Sequence, residues 1–258
     1  PEGSLFDEGV EKGTLANSDH KNQNINLGIS FPAQWGYLGI AFENNDGIYG
    51  IPFHAEEEEE HEEEEEHRIF TKAETETYVV KGRFNNSPYF NSVDYSFRGS
   101  NSFLKEHEED GSASLNSNSN SFAFNFNLDD ESYEKRLLLQ YNHTKSPMTG
   151  AYLPSSEAYE RSIAYFLRTK NSPYEIDFVG RYDSNSRDST IQRYGDTSLS
   201  FGTSLSNNLG KSFFYNLNYA HVSRSPTIAE LFANGVHGAT SRYERGLSLI
   251  HISEPTRR

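Results

Sequence analysis

The chain has 258 residues, 34% of them hydrophobic, with a mean hydropathy of -0.77 and a net charge of -15. So low an apolar share argues against an ordinary packed core, and so acidic a chain would repel nucleic acid phosphates. It contains no cysteine, which excludes a disulfide framework, a thiolate metal site and a Cys nucleophile.

The aromatic share is 14%, with 18 Phe and 16 Tyr against one Met and one Trp. That balance suits a β-barrel with an apolar exterior, aromatic girdles and a polar lumen, and it also suits a soluble Tyr-rich β protein. No apolar run reaches the roughly 18 residues that a membrane-spanning helix needs. The chain opens at Pro1 without Met or a signal peptide, and is read as a fragment.

From residue 24 onward the dominant signal has period two. Ile25, Leu27, Ile29 and Phe31 alternate with Asn, Gly and Ser over a first predicted strand, 24–33. Alternation of this kind places an apolar and a polar face on opposite sides of one strand. A second strand is predicted at 37–45, and a long connection follows at 45–70. That connection holds His54, His61 and His67 among two runs of five glutamates, Glu56 to Glu60 and Glu62 to Glu66. Without those ten glutamates the net charge falls from -15 to -5. Imidazole with carboxylate suits Zn²⁺, Ni²⁺ or Cu²⁺, whereas carboxylate alone would suit Ca²⁺ or Mg²⁺. At neutral pH the imidazoles are mostly uncharged and able to ligate. The same segment also reads as a solvated low-complexity loop, which would gather cations loosely at most.

Strands at 71–84 and 88–100 lead to a second long connection, 100–117, with a smaller cluster of Glu106, His107, Glu108, Glu109 and Asp110. By the strand count it lies on the same side as the first cluster. Phe122, Phe124, Phe126 and Leu128 mark a strand at 118–128, and Leu137, Leu139 and Tyr141 one at 134–145. Further strands are predicted at 158–170, 173–183, 192–207 and 211–224. Short Asn/Asp/Gly/Ser/Pro turns alternate with long connections, the pattern of an up-and-down barrel with tight turns at one end. The expected fold is all-β: an incomplete antiparallel transmembrane β-barrel of about ten strands.

After the last strand the chain reads Arg224-Ser-Pro-Thr-Ile-Ala-Glu230-Leu-Phe-Ala-Asn-Gly-Val-His237-Gly, continuing to Gly246. This resembles the strand-to-loop motif of TonB-dependent outer-membrane receptors, Arg-x-Pro-x-x-x-Glu-Leu-Phe. Gly13-Thr-Leu-Ala-Asn-Ser-Asp19 and Tyr49-Gly-Ile-Pro-Phe-His54 are similar to the zinc-uptake branch of that family. The resemblance covers most of residues 1–246. It implies a 22-stranded barrel of a Gram-negative outer membrane, an N-terminal plug absent from this chain, and energy supplied by the inner-membrane TonB complex. It further implies that Glu230 and His237 stand near the outer mouth, where both are candidate metal ligands. The structural alternative for Glu230 is a pair with Arg224 or another barrel arginine. Where zinc-branch loops are His-rich, the 45–70 loop is mostly Glu, which leaves the metal open.

The tail, 247–258, does not continue the motif and looks like translated adapter read-through, so His251 is set aside. His143 and His221 are given no metal role. No Gly-x-Ser-x-Gly, His-Glu-x-x-His or phosphate-cradling loop occurs, so no enzyme activity is expected. The expected function is uptake of a metal ion, Zn²⁺ foremost. The expected partners are the metal or its complex, outer-membrane lipid and the TonB complex. No resident cofactor and no nucleic acid partner are expected. A siderophore or haem receptor, or a surface β adhesin or metal-buffering protein, are the alternatives.

Overall fold

A computed structural model describes residues 18–51, 70–85, 87–108, 111–149, 152–210, 213–237 and 242–247. The chain is all-β and antiparallel. Its main sheet runs in sequence order through β1 (His20–Ala33), β2 (Gly36–Gly50), β3 (Phe70–Asn85), β4 (Ser92–Glu108), β5 (Gly111–Asn127) and β6 (Tyr133–Ser146). A two-residue β7 (Met148–Thr149) pairs with β5. The order then continues from β6 through β8 (Ser156–Thr169), β9 (Glu175–Ser189), β10 (Arg193–Leu209) and β11 (Phe213–His221). Among the described residues β1 and β11 do not pair, so the sheet has two open edges.

Five tight connections share one end, which we term the turn end. There Ala33 pairs with Gly36, and Gly36 has φ +143 with the Arg83 carbonyl where a Cβ would be. Only glycine fits that position. In the β5–β6 turn, the Asp130 carboxylate accepts from the backbone N–H groups of Ser132 and Tyr133, both at 2.8 Å, and pairs with Lys135. These contacts, the Lys135 ammonium foremost, hold the Asp130 carboxyl below its ordinary value.

Register puts every predicted apolar run on one face. Phe31, Leu38, Gly82, Tyr95, Phe124, Leu139, Ile163, Tyr182 and Leu199 form one continuous cross-strand row. Each strand contributes three or four such positions before polar residues take over. Seven residues of strand span roughly 23 Å, comparable to the apolar band of about 25 Å on outer-membrane barrels. Aromatic rings line the margin away from the turns: Phe42 meets Tyr78 at 5.1 Å, Phe97 meets Phe122 at 4.9 Å, and Phe122 meets Tyr141 at 6.2 Å. Trp35 and Phe84 stack at the turn end.

This apolar face is the exposed one. Leu27 is 65% exposed, Leu217 64% and Leu199 58%, while Thr77 on the opposite face is 1% exposed and Arg187 6%. A water-soluble sheet would hide its apolar face. On the sheltered face, polar groups are joined across strands. Arg168 forms a two-bond pair with Asp177, at 2.6 and 3.1 Å, and Ser204 donates to the same carboxylate. Arg181 binds Asp183, Gln140 and Ser162, tying three strands together.

Most strands are longer than predicted, chiefly at the end away from the turns, whereas β11 stops at His221, short of the predicted 224. β4 and β5 run to Glu108 and Gly111, through most of the expected 100–117 loop, and β9 continues to Ser189 through the expected 183–191 loop. Past the apolar band both faces of these extensions are mostly polar, Phe103, Leu104 and Leu115 being the larger exceptions. Apolar alternation then has no cause, although backbone pairing continues.

Candidate functional site

The segment carrying the Arg224–Gly246 motif leaves β11 and crosses to the polar face of β9 and β10. The Ser223 N–H donates to Ser200 Oγ at 3.0 Å, and Ser200 Oγ donates to the Ser223 carbonyl at the same distance. Two residues on, Ser225 Oγ donates to Asp196 Oδ2 and accepts from Asn185 Nδ2, each at 2.6 Å. Asp196, Ser200 and Asn185 all belong to the polar face by register. The motif therefore forms a strap on the sheltered side of the wall.

Thr227 caps the short helix α1 (Ile228–Phe232). Its hydroxyl accepts from the Glu230 N–H at 3.2 Å, while Glu230 Oε2 accepts from the Thr227 N–H at 2.7 Å. This reciprocal capping box satisfies two otherwise orphaned donors. Five residues are too few for a self-supporting helix, so burial must hold it. Leu231, Phe232 and Ala233 are indeed almost fully buried. After α1 come β12 (Asn234–His237) and β13 (Arg242–Arg245), a two-stranded sheet. The Asn234 N–H donates to the Tyr152 carbonyl, and the Gly246 N–H donates to that of Ala233. A Cβ on Gly246 would lie 2.3 Å from the Leu231 carbonyl oxygen, so the close return of the chain requires glycine. Burial, then the nearby Glu244 and Glu106 charges, raise the Tyr152 phenol.

Glu230 is fully engaged. Arg224 donates to both its oxygens, Nη1 to Oε2 at 2.7 Å and Nη2 to Oε1 at 2.5 Å. Arg224 first, then the Thr227 N–H, lowers the Glu230 carboxyl to about 2, and the same pair raises Arg224. A cation at this carboxylate would compete with the Arg224 guanidinium, although the Glu230 side chain remains 39% exposed.

The other residues named from sequence are spread apart. His107 lies near the far end of β4 with its ring stacked on Phe70 at 4.4 Å, and by register it shares the outward face of the apolar residues. His237 ends β12 opposite Arg242. His54, His61, His67, Glu109, Asp110 and His251 lie outside the described residues. Among the described residues no three His, Asp or Glu side chains converge in a metal-holding group.

Two clusters escaped the sequence reading. Beyond the apolar band, Asp46, Glu74 and Glu76 line a hollow of about 380 Å³ with Asn44, Asn101 and Asn116. Cross-strand register juxtaposes them, as Asp46 faces Glu74 and Asn44 faces Glu76. Lys72 pairs with Glu74. Nearby in the sheet, His143 Nε2 lies 2.7 Å from Glu157 Oε1, which also accepts from Tyr159, and the His143 and Tyr159 rings stack at 4.5 Å. The partners are 14 residues apart in sequence, so only the β6–β8 register reveals them.

No family model and no curated protein matches the chain.

Proposed function

We propose that the chain is wall and outer mouth of a Gram-negative outer-membrane receptor of the TonB-dependent type, and that its cargo is a divalent metal ion, Zn²⁺ foremost. One observation carries the reading: apolar side chains are exposed in a continuous band while polar and charged ones are sheltered. In water this arrangement is unfavourable, whereas in a bilayer it is the stable one. An open sheet cannot stand in lipid, so in this account both edges pair with further strands of the barrel. The strap on the polar face narrows the lumen at the mouth, as a receptor requires.

The cargo reading is supported by chemistry at one end of the wall. The His54/His61/His67 segment joins β2 to β3 at the end opposite the tight turns, where Asp46, Glu74 and Glu76 also lie. Asp46, Glu74 and Glu76 share the outward face of Phe42 and Tyr78 by register, so this acidic field would raise the local cation concentration around the outer rim. Glu230 can serve as a ligand only in competition with Arg224. No bond is made or broken, so this is transport without catalysis.

Phase separation in detergent tests the wall: the protein should enter the detergent-rich phase, and recovery from the aqueous phase would eliminate the barrel. Calorimetric titration with Zn²⁺ tests the cargo. Binding should weaken when His54, His61 and His67 are all replaced by Ala. Affinity unchanged by that replacement would remove the loop from the account.

A further inference from the structure

We propose that the outward face carries a seat for one phosphate-bearing lipid, its acyl chain lying in a groove at Gly180 and its phosphate at Arg161. The inference rests on the membrane reading above and adds a specific lipid contact to it.

The groove interrupts the apolar band over β6 to β10, with a volume of about 440 Å³. Leu137, Ile163, Phe178, Tyr182 and Leu199 form its walls. Its floor is Gly180, which register places between Tyr165 and Phe201, so a missing side chain leaves a notch where neighbouring strands carry rings. A Cβ built there would meet only the Phe178 ring, at 3.4 Å and beyond. The Phe178 ring rests at van der Waals distance from that position, so the notch is shallow and an acyl chain would lie along the ring rather than fill the space of a side chain.

Charge tells which lipid fits. Arg161 stands two residues from Ile163 on the same face, on the side away from the tight turns. Two residues of strand advance about 7 Å, the offset between the upper end of a tail and its headgroup. Arg161 is exposed and forms no ion pair with the described residues. Its immediate cross-strand neighbours, Tyr141 and Ser184, are uncharged. The other outward charges close by are Lys145, which adds to the positive field, Glu157, which is turned to His143 and Tyr159, and Asp188, which is paired with Arg193. A guanidinium without a carboxylate, at the edge of an apolar slot, complements a phosphate attached to a tail.

The test uses the chain together with the strands that close its two edges, refolded in vesicles with a single tryptophan reporter. Trp35 is replaced by Phe and Tyr182→Trp is introduced in the groove, with Ile40→Trp as a reference elsewhere in the apolar band. Dibrominated phosphatidylglycerol should quench the groove reporter with an apparent affinity about fivefold above that of dibrominated phosphatidylcholine. Arg161→Gln should abolish this preference, and Gly180→Leu should reduce quenching by both lipids. Equal quenching by the two lipids, unchanged in both variants, would overturn the seat while leaving the barrel intact. No quenching at either reporter would overturn the membrane reading, and the seat with it.

Discussion

Replacing Leu27 by Arg separates a lipid-facing wall from a wet one. Leu27 lies mid-band on β1 and is 65% exposed, with Phe42 opposite it across the strand pair. If this face met water, the substitution would forfeit only the buried third of a side chain. Complete burial of a Leu stabilises by about 1.5–3 kcal/mol, so the loss would be about 0.5–1 kcal/mol. If the face meets hydrocarbon, Arg near the midplane costs about 2–4 kcal/mol, equivalent to roughly 30- to 1,000-fold in the folding constant. The neighbouring Asn26→Arg, on the other face, controls for strand propensity and should cost under about 0.5 kcal/mol. The assay is reversible urea unfolding, from phospholipid vesicles, of the chain together with the strands that close its edges, followed through Trp35. Leu27→Arg and Asn26→Arg differing by less than about 1 kcal/mol would refute the reasoning.

Further outcomes follow from the polar face and the strap. Arg187 is 6% exposed and donates to Glu160, so Arg187→Ala should cost about 2–3 kcal/mol in the same unfolding assay. This is less than for a fully buried pair, because the Glu160 side chain remains 43% exposed. Removing the cap by Thr227→Ala should cost the strap about 1 kcal/mol, visible as faster hydrogen exchange over residues 228–232. The Glu230 carboxyl is depressed from 4.5 to about 2 in the folded state. Its contribution is therefore complete above pH 4.5 and is lost as pH falls towards 2. Limited proteolysis across that window should show the strap loosening in the wild type, whereas Glu230→Gln should be loose at both ends of it.

The alternating aromatics and aliphatics made the strands legible because register gathers them on one face of the sheet and leaves polar residues on the other. Ile25 to Phe31 and Phe122 to Phe126 located their strands on that ground alone. The upper extensions of β4, β5 and β9 were illegible because beyond the band both faces are mostly polar and period two disappears from the side chains. The helix that starts at the Thr227-x-x-Glu230 capping box was not expected, while the strap's segment was marked by its motif as a strand-to-loop transition. Its course over the polar face depends on Ser223 and Ser225 meeting Ser200, Asp196 and Asn185, contacts that no local pattern encodes. The same holds for His143 with Glu157 and for Arg187 with Glu160, which register alone brings together. Glu230 shows the limit from the other side. Its motif singled it out as a candidate ligand, and the structure shows the Arg224 pair that was the structural alternative.

The most direct measurement is a cysteine scan of β5, since the native chain contains no cysteine to confuse it. Single cysteines placed in turn from Ser121 to Phe126 would be exposed, in vesicles, to a membrane-impermeant thiol reagent. The account predicts alternation: positions 122, 124 and 126 protected by lipid, and positions 121, 123 and 125 reactive from the aqueous side. Uniform reactivity along the strand, or protection at the odd positions, would mean that the exposed aromatic band does not face a bilayer.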